Sequence, residues 1–108
     1  MAVSRSQIWQ RRVDSIPASS AKIVDTIPLE DFRGLEYMLS VKNDAGDKHK
    51  SLKLNVKNDD SSLSHSISGR LGVLGIEVNP QINGSSYELQ INNVETSNLT
   101  ITMARAIY

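Results

Sequence analysis

The chain has 108 residues, of which 39% are hydrophobic, with 12 basic side chains, 12 acidic ones and no cysteine. This size predicts a single domain with its own hydrophobic core, and the lack of cysteine excludes disulfide and thiolate-metal scaffolds. The formal net charge of zero argues against a nucleic-acid-binding domain, and the short apolar runs argue against a membrane-spanning helix.

Residues 1–22 form a basic leading segment whose apolar residues keep neither a strand period nor a helix period. We therefore predict an extended N-terminal arm, which could also add an edge strand to a sheet. Two similar stretches, 13–17 and 24–28, each end at a proline, so both are predicted to be strand ends. Residues 28–32 are predicted to open one helical turn, because proline suits the first helical position and acidic residues suit the first turn.

Six later segments alternate apolar and polar residues with a period of two, as half-buried strands do. They are residues 35–42, 51–57, 63–67, 71–78, 87–92 and 99–108. The first two segments are joined by the turn-rich residues 43–47 and are predicted to form a hairpin. Within the fourth, the alternation changes phase near Gly72 or Gly75, which predicts a bulge or a close backbone approach, and Pro80 is predicted to end the ladder.

These elements predict an all-β protein, an antiparallel β-sandwich of jelly-roll-like architecture with an extended N-terminal arm. Residues 1–22 are assigned to the arm and residues 23–108 to the sandwich domain.

The arm carries the residues that we predict at a subunit interface. They are Arg5, Ile8, Trp9, Arg11 and Arg12. Tryptophan and arginine are enriched where interfaces concentrate their binding energy, and an exposed Trp9 would leave a large apolar surface in water. Either the arm folds back so that its own sandwich covers Trp9, or a neighbouring subunit covers it.

The run 24–41 resembles the opening of small β-rich virion proteins and domains of tailed bacteriophages. The resemblance is carried by the start Val24-Asp25, the triplet Phe32-Arg33-Gly34 and Tyr37 on the first long strand. Later segments match as a pattern of strands, although Ser64-His65-Ser66 replaces the usual acidic-tyrosine-glycine element of the third strand. The resemblance implies a capsid-decorating, neck, tail or fibre component of the virion, and it carries over no catalytic residue.

Phe32, Arg33 and Tyr37 are predicted to lie at one edge of the core. Arg33 precedes the first long strand and Tyr37 lies on it, so the aliphatic part of Arg33 can cover apolar surface while its guanidinium stays in water. A binding role for the pair is the alternative.

No hydrolase elbow, phosphate loop or zinc-protease motif occurs in the sequence. We therefore predict no catalytic residue, no cofactor and no metal site, and we expect that the chain is not an enzyme. His49 and His65 could meet across strands beside Asp44 and Asp47, but they lack the spacing of metal ligands. A row of lysines suggests a polyanion-binding patch, although the wet face or edge of a strand is the simpler interpretation. The row consists of Lys48, Lys50, Lys53 and Lys57.

Together these observations predict a bacteriophage virion structural protein, made in the host cytoplasm, that binds repeated sites on the particle. Our first choice is a capsid decoration or cement protein. Its expected partners are other virion proteins and further copies of itself, without nucleic acid or membrane. The alternatives are a tail, neck or baseplate component, and a fibre-type module that recognises host glycans through loops 43–47, 58–62 and 80–86.

Overall fold

The computed structural model describes residues 10–59 and 62–108, and within them it contains eight β-strands and one short 3-10 helix. The strands are β1 (Gln10–Ile16), β2 (Ala21–Pro28), β3 (Gly34–Asn43), β4 (His49–Asp59), β5 (Ser62–Gly72), β6 (Ile76–Asn83), β7 (Ser86–Asn93) and β8 (Leu99–Ile107). The 3-10 helix, Leu29–Asp31, follows β2 directly, which confirms the predicted helical turn. In this described part of the chain, no helix is long and apolar enough to cross a lipid bilayer.

The strands form two antiparallel sheets, and this arrangement confirms the predicted β-sandwich. One sheet has five strands in the order β1-β8-β3-β4-β5, and the other has three in the order β2-β7-β6. Because successive side chains of a strand point to opposite faces, the apolar positions of both sheets meet in one core. The largest fully buried side chains are Tyr37, Tyr87, Ile16, Leu35, Leu39, Leu54, Leu89, Ile91, Leu99, Ile101, Val24 and Val41.

Part of the segment assigned to the arm lies in the sheets. Strand β1 pairs with β8 at the edge of the five-stranded sheet, and Ile16 at its end is fully buried in the core. Strand β1 ends just before Pro17, and β2 ends at Pro28, as predicted for both prolines. The boundary placed after Lys22 falls inside β2, a strand of the three-stranded sheet.

Residues 71–78 do not form one strand, so that prediction is wrong. Strand β5 ends at Gly72 in the five-stranded sheet, and β6 begins at Ile76 in the three-stranded sheet. Gly72 has a φ of 89°, and a Cβ there would overlap the carbonyl oxygen of His49. Only glycine tolerates a positive φ together with this close backbone approach. The change of phase in the apolar-polar alternation therefore marks the point where β5 ends, before the chain crosses to the other sheet.

Pro80 does not end the ladder, which corrects a second prediction. Strand β6 continues through Pro80, opposite Leu89, as far as Asn83. Since β6 is an edge strand of its sheet, a residue without an N–H donor can occupy it without breaking a central hydrogen-bond ladder.

Candidate binding face of the five-stranded sheet

A buried polar cluster joins the two sheets, and a β-bulge positions its carboxylate. The register of β2 against β7 shifts just before Asp25, so Val24 and Asp25 are both buried instead of alternating. Arg105 Nη1 donates to the two carboxylate oxygens of Asp25 at 2.7 and 2.9 Å. The Tyr37 hydroxyl donates to Asp25 Oδ2 at 2.8 Å and shares a hydrogen bond with the Tyr87 hydroxyl at 2.9 Å.

Burial controls the ionisation of this cluster. Loss of water raises the pKa of both phenols, Tyr37 and Tyr87, well above the ordinary value of 10.0, and the negative charge of Asp25 adds to the rise. Both tyrosines therefore stay protonated and uncharged. Because the polar groups of the cluster bond one another across the sandwich, we assign them the role of holding the sheets together.

The outer face of the five-stranded sheet carries the positions that alternate with the core. Antiparallel pairing aligns these positions of β3, β4 and β5 in four rows. The rows are Gly34 with Lys57 and Ser64, Glu36 with Asn55 and Ser66, Met38 with Lys53 and Ser68, and Ser40 with Ser51 and Leu71. Leu71 reaches this face because the register of β4 against β5 shifts between Ser51 and Lys53.

The first two rows line a polar groove of about 370 Å³, together with Tyr108. Its polar groups include one carboxylate, one amide, one ammonium group and two hydroxyls. These belong to Glu36, Asn55, Lys57, Ser64 and Ser66. The groove therefore offers both hydrogen-bond donors and acceptors to a ligand.

Tyr108 is held against the start of β3. Its N–H donates to the carbonyl of Gly34 at 2.9 Å, and its own carbonyl accepts from the N–H of Arg33 at 2.8 Å. Partial loss of water, followed by the charge of the Glu36 carboxylate, raises the pKa of the Tyr108 phenol. The residue is nevertheless 42% exposed, so an anchored ring faces solvent at the groove.

The last two rows, apart from Ser68, line a neighbouring groove of about 600 Å³ that is mainly apolar and also touches Thr102 and Ala104 of β8. Met38 and Leu71 on this groove are 56% and 68% exposed. Both volumes fall within the range of about 300–1,000 Å³ that is usual for ligand pockets. Since the two grooves follow one another along the same strands, we call the four rows together with Tyr108 the outer trough.

Two lysines give the outer trough its positive charge. Lys53 and Lys57 are exposed, and neither forms an ion pair within residues 10–59 and 62–108. Glu36 is the one acidic side chain among the described residues that line the two grooves. Of the predicted lysine row, these two lie on the outer face, whereas Lys48 pairs with Glu95 at 3.3 Å.

The predicted interface residues lie at the start of the described chain or before it. Arg5, Ile8 and Trp9 lie outside the described residues. Arg11 and Arg12 belong to the edge strand β1, where Arg12 is exposed.

The three residues predicted at the core edge lie in two environments. Phe32 and Tyr37 are buried, and the edge of the Phe32 ring packs on Tyr87 with 5.2 Å between ring centroids. Arg33 is exposed, and its backbone N–H helps to anchor Tyr108.

The two histidines are far apart in register. His49 pairs with Lys42 at the beginning of β4, whereas His65 pairs with Val56 near the other end of that strand. Within residues 10–59 and 62–108, no group of three or more His, Asp or Glu side chains is arranged to hold a metal ion.

The turn at 43–47, one of the loops considered for glycan binding, uses its polar groups internally. Asn43 Oδ1 accepts from the N–H groups of Gly46 and Lys48, each at 3.1 Å. Asn43 Nδ2 donates to Asp47 at 2.7 Å, and this bond holds the pKa of Asp47 below its usual value. These groups are therefore occupied within the turn.

Glu36, Asn55 and Tyr108 were not among the predicted site residues. The hairpin register and the alternation carry enough information to place Glu36 beside Asn55, since both occupy polar positions of paired strands. The position of Tyr108 depends on the pairing of β3 with β8, which joins residues far apart in the sequence and leaves no local signal.

The fold is shared with parts of phage tailspike proteins. The tailspike protein of Acinetobacter baumannii phage AM24 matches with a TM-score of 0.54 and 7% identity, over 95% of this chain and 26% of that one. Tailspike gp49 of Acinetobacter baumannii bacteriophage Fri1, described as a capsular polysaccharide depolymerase, matches with a TM-score of 0.52 and 12% identity, over 97% and 18%. The tailspike of Acinetobacter phage vB_ApiP_P1 matches with a TM-score of 0.51 and 13% identity, over 99% and 23%.

Sequence comparison adds no family. No protein-family model matches the chain, and no curated protein matches it either. At 7–13% identity the structural likeness establishes a shared fold, and this chain spans about a quarter or less of each tailspike, since it covers 18–26% of their lengths.

The prediction that the chain is not an enzyme is contradicted by the Fri1 protein. A β-rich unit of this shape occurs within a protein described as a depolymerase, so the sequence argument for exclusion was wrong. Catalytic groups in a folded protein are brought together by tertiary structure, and for this reason the absence of a local sequence motif does not exclude catalysis.

Proposed function

We propose that this chain is a component of a bacteriophage tail and forms a β-sandwich module of the tailspike or tail-fibre type. The observation that supports this proposal is the match of 95–99% of the chain to part of three tailspike proteins. The matches favour the tail alternative over capsid decoration, because each of the three neighbours is a tailspike. The chain would be made in the host cytoplasm and carried on the virion.

The module suits such a role because its core is self-contained. Both sheets contribute to one apolar core, so the module can fold as a unit and be joined to other parts of a tail. The outer trough and the edge strands remain on its surface for contacts with other molecules.

We further propose that the segment around Arg5, Ile8, Trp9, Arg11 and Arg12 binds other virion proteins or further copies of the chain. The supporting feature is the combination of tryptophan and arginine in one short stretch. Substitution Trp9→Ala should reduce incorporation into particles while the soluble chain keeps its unfolding transition. Normal incorporation of the variant into particles would show that this segment is not the interface.

The proposal is tested by locating the chain in purified particles. Mass spectrometry of virions and immunogold labelling should detect it and place the label on the tail. Label distributed over the capsid would instead favour a capsid decoration protein. Absence of the chain from purified virions would overturn the proposal.

A further inference from the structure

We propose that the outer trough binds an acidic polysaccharide in extended form. This inference rests on the proposed tail function, because it names the ligand class that the module would contact on a host surface. It replaces the loop-based glycan alternative with a site on the face of the five-stranded sheet.

The shape of the outer trough fits a linear ligand. Its four rows run along β3 from Gly34 to Ser40, a distance of about 20 Å at the usual rise per strand residue. The polar groove of about 370 Å³ and the apolar groove of about 600 Å³ succeed one another along this path. A chain of linked rings can occupy both grooves without bending away from the sheet.

Tyr108 supplies an anchored aromatic platform at one end. Its backbone is hydrogen-bonded to Arg33 and Gly34, and its ring packs beside Gly34, so part of its conformational freedom is already lost before binding. An exposed tyrosine ring presents an apolar face together with a polar edge. A sugar ring has the same combination, with C–H groups on one face and hydroxyls around its edge.

The outer trough carries short hydroxyl side chains along its whole length. Ser64, Ser66 and Ser68 follow one another on the outer face of β5, and Ser40 and Ser51 face each other across β3 and β4. Serine offers less packing in a strand than the β-branched and aromatic residues that strands favour. Each hydroxyl can donate and accept a hydrogen bond, so these serines match a ligand whose own surface is covered with hydroxyls.

The charge of the outer trough favours an acidic polysaccharide over a neutral one. Lys53 and Lys57 have no ion-pair partner in the described chain, and they outnumber the single carboxylate, Glu36, that lines the two grooves. Both lysines lie on β4, about 13 Å apart at the usual rise per strand residue, where they can bind two carboxylates carried by the same polysaccharide chain. Met38 and Leu71 in the apolar groove provide contacts for methyl or acetyl substituents.

The test is binding of the full chain to an array of acidic and neutral oligosaccharides from bacterial capsules and lipopolysaccharides. We expect binding to acidic members, weakened by added salt because the lysines are exposed. Tyr108→Ala should weaken binding about tenfold or more, as removal of an aromatic side chain that concentrates binding energy usually does. The double substitution of Lys53→Gln and Lys57→Gln should abolish the preference for acidic members.

Matched control variants keep the test specific. Ile82→Ala removes an apolar residue of the other sheet that is 40% exposed, close to the 42% of Tyr108, and should leave binding unchanged. Lys48→Gln removes a lysine that pairs with Glu95 outside the outer trough, and it should also bind normally. Unfolding curves of all variants verify that they are folded.

Three results would overturn the inference: no binding to any member of the array, equal binding to neutral and acidic members, or unchanged binding by the Tyr108→Ala variant. The inference and the proposed function fail separately. If the chain is detected on the tail but binds no polysaccharide, the proposed tail function stands and the binding site does not. If the chain is absent from virions but binds acidic polysaccharide, the binding site stands and the proposed tail function does not.

Discussion

Polar side chains of this protein occupy two contrasting settings. Between the sheets, Asp25, Arg105, Tyr37 and Tyr87 bond one another at 2.7–2.9 Å. On the outer trough, Lys53 and Lys57 have no ion-pair partner among the described residues. The first set is shielded from water and the second faces it.

The difference separates groups that stabilise the fold from groups that remain available for a ligand. A buried polar group costs free energy unless it is hydrogen-bonded, so the inner cluster is constrained to form every time the chain folds. An exposed lysine or serine has water as its partner and makes little net contribution to stability. Substitutions should therefore affect stability in one region and ligand binding in the other.

The largest expected effect follows from Asp25→Ala. Removal of the carboxylate breaks the ion pair with Arg105, in which the two side chains are 3% and 15% exposed, and loss of one partner of a buried pair costs about 3–5 kcal/mol. Denaturant unfolding measures the change in the free energy of unfolding. Asp59→Ala, at the exposed end of β4, is the control and should change it by less than about 0.5 kcal/mol. Equal losses in the two variants would contradict a structural role for the cluster.

A smaller loss is expected for Asn93→Ala. The Asn93 side chain is fully buried, and its Nδ2 donates to the carbonyls of Ile16, Pro17 and Ser97 at 3.3, 3.0 and 2.9 Å. The bond to Ile16 is buried and the other two are partly buried, and leaving a buried acceptor without its donor costs about 1–3 kcal/mol. The same unfolding assay should detect this loss, whereas Asn92→Ala, which removes an exposed hydrogen bond to Glu77, should be close to neutral.

The buried tyrosines predict a loss of stability at alkaline pH. Their pKa is raised in the folded state above the ordinary 10.0, so above that pH the unfolded chain releases protons that the folded chain retains. The stabilisation is complete below pH 10.0 and declines as the pH rises toward the folded-state pKa. Tyr37→Phe should make the decline of the unfolding free energy shallower. An unchanged slope would show that Tyr37 does not titrate on unfolding.

The smallest stability effects are expected on the outer trough. Lys57→Gln and Glu36→Gln should each change the free energy of unfolding by no more than about 0.5 kcal/mol, the usual range for surface substitutions. Polysaccharide binding, measured on the same samples, should change in both variants. A large loss of stability with unchanged binding would move these residues into the structural group.

Local patterns predicted much of the fold. The hairpin of β3 and β4 follows from strict alternation on both sides of the turn at 43–47, and the 3-10 helix follows from Pro28 and the acidic residues after it. The same alternation marks Glu36 and Asn55 as polar-face positions. Each of these features depends on residues that are near one another in the sequence.

The remaining features depend on contacts between distant residues. The bulge that buries Asp25 is favoured because Arg105 and Tyr37 lie across the core and donate hydrogen bonds to its carboxylate. The separation of β5 from β6 at Gly72 depends on the close approach of the His49 carbonyl. Pro80 is tolerated because β6 lies at a sheet edge, a fact that the residues around it do not encode.

By itself, the sequence determined that this protein is made of antiparallel strands with one apolar face each, since a period of two is a local property of a strand. Which strands share a sheet, and therefore which polar residues meet, was decided by tertiary structure. Tyr108 lies beside Gly34 and Glu36 because β8 pairs with β3, and that pairing is selected by burial of their common apolar face in the core. The outer trough is consequently a product of strand order, although each of its residues was visible in the sequence.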